Sequence, residues 1–240
     1  MKPPVEFQDR SAYKDRMKSL LTIDARRTVM VTVDMQRDYL DPEVASAPVA
    51  LDEAERVVKN ARDLLDFARG EGLPVVHAYV NRRAAEVERK LLAGRTFSTA
   101  AAHGLSQNAQ AAVRTIPDRL EGSAQAEVPA LLVAPGDVHV TTKKSLDSFL
   151  HTDLDYVLRD VYRAETVVLT GINTDTCVYS TAFSASNRGY QTVVISDCVA
   201  SMRGKEHHWM ALELMSRSIA WVLSVEEFCS KLRAGAPARP

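Results

Sequence analysis

Short runs of apolar, β-branched residues recur along this chain, separated by longer stretches in which apolar positions return every three or four residues. The short runs cover residues 28–33, 74–80, 137–142, 166–172, 192–196 and 218–223. They are apolar for most of their length, as strands covered on both faces must be. Between the first two, residues 51–72 set Ala54, Val57, Val58, Ala61, Leu64, Leu65 and Ala68 on one helical face and end at Gly70 and Gly72, which predicts a crossover helix. Further helices are predicted over 153–163, 177–187, 205–217 and 225–232. Strands alternating with helices predict an α/β fold with three layers, α/β/α, around a mainly parallel six-stranded sheet of Rossmann-like type.

Two stretches break the rhythm. Residues 1–25 form a polar leader with weak helical spacing at Tyr13, Met17, Leu20 and Leu21, suited to lying across the surface or a partner subunit. Residues 26–240 then form one domain, interrupted at about 82–135 by an insertion too long for an ordinary connection; it should hold helical pieces and cover a site.

Composition narrows the function classes. With 240 residues, 46% of them hydrophobic and 25% charged, the chain can bury a sizeable core. Its 30 Lys+Arg against 31 Asp+Glu leave no basic field to hold nucleic acid or an anionic membrane, so neither is an expected partner. No run approaches the roughly 18 apolar residues of a spanning helix, and the first ten residues are too polar for a signal peptide, so a cytoplasmic location is expected. Three cysteines, Cys177, Cys198 and Cys229, are too few for a disulfide framework and lack the paired spacing of a zinc site, which leaves free thiols. Apolar residues in the leader (Phe7, Tyr13, Met17, Leu20) predict a homo-oligomer, a dimer or tetramer.

Open parallel sheets bind ligands beyond the carboxyl ends of their strands. Three polar residues stand there: Asp34 after the first apolar run, Lys143 after the third, and Cys177 at the start of the helix following the fourth. A thiol in a first helical turn faces backbone N–H groups and the positive end of the dipole, which favours thiolate and can hold an oxyanion. The bland alternatives are a small buried residue packing helix on sheet for Cys177, a helix or turn cap for Asp34, and an ordinary solvated neighbour for one of Lys143 and Lys144.

The three segments together, Asp34 and Gln36 in Val-Asp-Met-Gln, Lys143 to Phe149, and Gly171 to Val178, resemble the isochorismatase-like cysteine hydrolases. That group includes nicotinamidases, N-carbamoylsarcosine amidohydrolase, ureidoacrylate amidohydrolase and biuret hydrolase. The resemblance spans residues 28–232 and implies an Asp-Lys-Cys triad: Asp34 as base, Lys143 as orienting and charge-stabilising residue, Cys177 as nucleophile. It also implies a cis Ile172–Asn173 peptide and an oxyanion hole from the amides of Asn173 and Cys177. Gln36, Phe149 and Asn81 are candidate substrate contacts. Strand alternation allows only one of two adjacent lysines to face the site, and the family's Lys followed six residues later by Phe149 favours Lys143.

The expected activity is hydrolysis of a C–N amide or ureido bond in a small molecule through a thioester acyl-enzyme, without cofactor. Some nicotinamidases carry a metal site after the first strand; residues 38–52 here contain no histidine, so no metal is expected. His77 reads as a satisfied core or rim histidine, and His207 and His208, adjacent on a helix, cannot form an i, i+4 zinc pair. Two other readings stand beside this one: vinyl ether hydrolysis of the isochorismate type, which uses the Asp but no cysteine nucleophile, and a non-catalytic relative acting as a binding module.

Overall fold

The computed structural model describes residues 7–89, 96, 99–100, 103–105 and 119–235. Six strands form one sheet: β1 (Thr28–Val33), β2 (Val75–Val80), β3 (Val138–Lys143), β4 (Thr166–Ile172), β5 (Gln191–Ala200) and β6 (Trp221–Leu223). Their order is β3-β2-β1-β4-β5-β6, and every pairing is parallel. The leader contributes α1 (Ser11–Leu20). After β1 come a short α2 (Arg37–Leu40) and the crossover helix α3 (Leu51–Gly70). Helix α4 (Ala84–Glu88) opens the insertion; most of the segment expected to act as a cover lies outside the described residues.

Strand alternation divides the core. Met30 faces the layer of α3 and the C-terminal helix, with Leu64, Leu65 and Phe228, while Val29, Val31 and Val33 face the opposite layer with Leu158, Ala182 and Met215. One polar chain crosses the first layer. Thr32 Oγ1 and Asp137 Oδ2 contact the two nitrogens of the fully buried His77 at 2.7 and 3.1 Å, and Arg69 of α3 donates to the same carboxylate at 2.7 Å. Burial holds His77 down to about 4 against the pull of Asp137, so it stays a neutral hydrogen-bonded core histidine.

Two predicted strand ends moved by more than one residue. The fifth strand runs on to Ala200, because residues between the Leu169–Val194 and Gly171–Val199 pairs form an irregularity in which Asp197 Oδ2 accepts from the Val225 amide and starts the last helix. Ser196 and Asp197 look like a strand terminus by polarity alone. The sixth strand begins only at Trp221, since the preceding helix continues through Ser218.

Sequence order reverses at β1, which lies between β2 and β4, so the crevice of the sheet opens at the carboxyl ends of β1 and β4. There the two backbones nearly touch. Gly171 has φ +128°, and a Cβ on it would lie 1.9 Å from the Val33 carbonyl oxygen; only glycine fits. No helix among the described residues is long and apolar enough to cross a membrane.

Candidate active site

Asp34 leaves β1 with φ +49°, a left-handed conformation that aspartate tolerates better than most residues. Its Oδ1 accepts from the Val80 amide at 3.1 Å and its Oδ2 from Lys143 Nζ at 2.6 Å. Lys143 reaches it from the end of β3, past the point where β2 shifts register at Val80, and also donates to the Ser145 carbonyl at 2.7 Å. Both side chains are buried, at 1% and 0% exposure. A buried ion pair holds only when each charge is met by the other and by further hydrogen bonds, as happens here. Lys144, the adjacent lysine, turns outward to the Asn81 carbonyl and to Glu86 at 3.0 Å.

Cys177 comes from the far side of the crevice. β4 ends at Ile172, the Ile172–Asn173 peptide is cis, and residues Thr174–Val178 form a single π-helical turn before α6 (Tyr179–Asn187). (The preceding layer contains a short α5, Leu154–Tyr156, that runs on as a second π turn.) Asn173 O accepts from the amides of Thr176 and Val178. The Cys177 thiol is buried and lies within the electrostatic reach of both Asp34 and Lys143. Its pKa is pushed up to about 11, chiefly by burial, with Lys143 opposing and Asp34 adding to the rise. The thiolate expected from the cation and the helix terminus is therefore not the resting state: desolvation and a carboxylate that prefers a neutral S–H outweigh them.

The three candidate substrate contacts separate. Gln36 is fully buried and its amide nitrogen is committed to the carbonyls of Val80 and Ala126, both at 2.8 Å, so it ties the end of the insertion to β2; its Oε1 has no hydrogen-bond partner among the described residues. Asn81 stays at the rim of the crevice, with a buried Oδ1 that likewise has no partner there. Phe149 is not brought to this group: it stacks on Tyr190, centroids 6.0 Å apart, with the Arg188 guanidinium 4.6 Å from its ring, at the opposite end of α6 and beside the amino end of β5.

Residues absent from the sequence reading surround the thiol instead. The Tyr39 phenol, on α2, is buried within the electrostatic reach of Asp34 and Cys177, and burial holds its pKa well above the ordinary value. Arg119, at the end of the insertion, donates to the Tyr39 hydroxyl, lies 5.0 Å from its ring centroid and pairs with Asp38 at 3.4 Å. It also favours thiolate at Cys177. Tyr39 and Asp38 follow Asp34 closely enough to have been suspected; nothing in the pattern around Arg119 marks it. Among the described residues no group of three or more His, Cys, Asp or Glu side chains is placed to hold a metal ion.

A buried acid–base pair bearing on a thiol at a sheet switch point is the arrangement of a hydrolase site, and the chain belongs to the isochorismatase family: the model of the isochorismatase domain matches residues 28–227. Ureidoacrylate amidohydrolase RutB of Methylobacterium radiotolerans is 30% identical over 227 residues, covering 91% of this chain and 84% of that protein. The phenazine biosynthesis protein PhzD of Pseudomonas fluorescens is 29% identical, covering 85% and 86%. Among solved structures, N-carbamoylsarcosine amidase from Thermoplasma acidophilum superposes with a TM-score of 0.60 at 25% identity, covering 83% of this chain and 97% of that one. A cysteine hydrolase from Pseudomonas syringae shares the fold with a TM-score of 0.70 at 22% identity, covering 90% and 97%.

Proposed function

We propose that the protein is a cysteine-dependent amidohydrolase that cleaves an amide or ureido C–N bond of a small molecule. The observation that carries this reading is the buried ion pair of Asp34 and Lys143, 2.6 Å apart, both acting on the buried Cys177 thiol. Because the thiol rests protonated, nucleophile formation and attack are coupled: Asp34 takes the S–H proton as Sγ bonds to the substrate carbonyl carbon. Lys143 holds the Asp34 carboxylate in place and offsets charge on the thiolate. The backbone amides of Asn173 and Cys177 receive the oxyanion. Asp34 then returns its proton to the leaving nitrogen, the C–N bond breaks, and ammonia or an amine departs from a thioester on Cys177. Water, deprotonated by Asp34, attacks the thioester; the C–S bond breaks, the acid is released and the thiol recovers its proton.

Similarity to ureidoacrylate amidohydrolase and N-carbamoylsarcosine amidase supports C–N chemistry. The family model's name favours a second reading, cleavage of a C–O vinyl ether with Asp34 as the proton-transferring group and no covalent step. A screen for ammonia release over nicotinamide, carbamoyl amino acids, ureidoacrylate, biuret and maleamate, together with an assay of isochorismate cleavage, each with Cys177→Ala beside the wild type, tests both. Ammonia release lost in Cys177→Ala is the expected result. Vinyl ether cleavage that survives Cys177→Ala would reject the amidohydrolase.

A further inference from the structure

Three consecutive side chains of the turn that leads to Cys177 are all held by one other segment, the connection from β5 into the next helix, α7 (Lys205–Ser218). Asn173 Oδ1 accepts from the Met202 amide at 2.8 Å. Thr174 Oγ1 shares a hydrogen bond with His208 Nδ1 at 2.9 Å. Asp175 accepts from Ser201 Oγ at 2.6 Å and from Arg203 Nη1 at 2.9 Å. Thr174 is fully buried, and Asn173, Ser201 and His208 are nearly so. A π turn commits fewer of its backbone donors to regular helical bonds than an α-helix would, so its orientation depends on contacts from outside.

We propose that residues 201–208 form a positioning clamp for the Asn173–Cys177 turn, and that His208, acting through Thr174, sets the direction of the turn's backbone donors. This assignment rests on the amidohydrolase reading only for its effect on turnover. His208 is a positioning residue and touches no reacting atom. Its imidazole is kept neutral by burial, its pKa lowered to about 4, with Arg56 adding to the fall and Glu53 and Asp175 opposing it, so the contact persists through the neutral range. Outside the clamp lies a cavity of about 220 Å³ bordered by Glu53, Ser201, Met202, Lys205 and His208. Shortening His208 therefore enlarges an existing space and frees Thr174 without cutting into the close-packed sheet core.

The test uses the full-length protein with His208→Ala, His208→Asn, which keeps a polar atom near the Nδ1 position, Thr174→Val, and the His208→Ala/Thr174→Val double variant. Backbone hydrogen exchange is read over Thr174–Val178. His208→Ala should speed exchange there by at least about tenfold relative to the sheet, and His208→Asn should restore most of the protection. With a substrate from the screen, kcat should fall at least about tenfold in His208→Ala while KM changes little, since misaligned oxyanion donors weaken the transition state and spare ground-state binding. The double variant should be no worse than either single one, because both remove the same link. Exchange unaffected by His208→Ala, or additive losses in the double variant, would overturn the clamp and leave the amidohydrolase reading standing. Faster exchange in a protein that hydrolyses no C–N substrate would sink that reading and keep the clamp.

Discussion

Replacing Lys143 with methionine keeps a stem of similar length and deletes the charge that meets Asp34. Nothing else in the contact changes shape greatly: Asp34 retains the Val80 amide at 3.1 Å and loses Nζ at 2.6 Å. Since both side chains are buried, the carboxylate is left without a cation in a poorly solvating site, a situation that costs about 3–5 kcal/mol. A stability of roughly 5–15 kcal/mol survives that loss in most cases, so the variant should remain folded and measurable. With a urea slope of about 3 kcal/mol/M, the unfolding midpoint should fall by about 1–1.7 M. Lys144→Met serves as the control. Its ammonium pairs with Glu86 at 3.0 Å at a partly exposed site, where an ion pair contributes about 0–1 kcal/mol, so its midpoint should shift by no more than about 0.3 M. Adding Asp34→Asn to Lys143→Met removes the stranded charge and should recover part of the loss. Equal shifts for the two lysines, or strict additivity in the Asp34→Asn/Lys143→Met double variant, would refute the claim that a buried pair organises this site.

Alkylation of Cys177 should accelerate up to about pH 11, and Asp34→Asn should alkylate faster than wild type at pH 8 while losing turnover, because Asp34 raises the thiol pKa; slower alkylation would contradict that coupling. His77 and His208 sit near 4 when folded and near 6.5 when unfolded, so the unfolded chain binds more protons between those values; stability full above pH 6.5 should drain away toward pH 4, by about 2 kcal/mol per histidine at pH 5, and a urea midpoint constant from pH 8 to 5 would disprove it. Gly171→Ala should cost more than about 4 kcal/mol or prevent folding, since its Cβ meets the Val33 carbonyl, whereas Gly70→Ala, with no atom within 4 Å, should stay within about 0.5 kcal/mol by thermal unfolding. We expect a homo-oligomer in solution: Trp209, Phe183 and Tyr13 are 63%, 48% and 42% exposed, and a monomeric mass by light scattering at micromolar concentration would count against it.

Continuous apolar runs determined β1 and β4 to the residue, because a strand buried on both faces admits only small polar side chains such as Thr32 and Thr170 and excludes charged ones, so that it announces both ends. The same logic marked Asp34 at the end of β1 and Cys177 in the turn after β4, and the order of three short motifs pointed to the family. Features that depend on which residues meet across the fold were hidden. Polarity misplaced the end of β5, where Asp197 is consumed in starting a helix 28 positions later. Whether Lys143 or Lys144 faces Asp34 was a matter of register, decided by the β2–β3 pairing. Phe149 sits beside the motif in sequence yet packs at the far end of α6, and Gln36 spends its amide on the insertion. Thr174 with His208, and Tyr39 with Arg119, are separated by 34 and 80 positions and carry no periodic signal. Burial periodicity is a local property that each segment displays alone, whereas a buried hydrogen bond or ion pair exists only once packing has excluded water from both partners, and that exclusion belongs to the assembled chain.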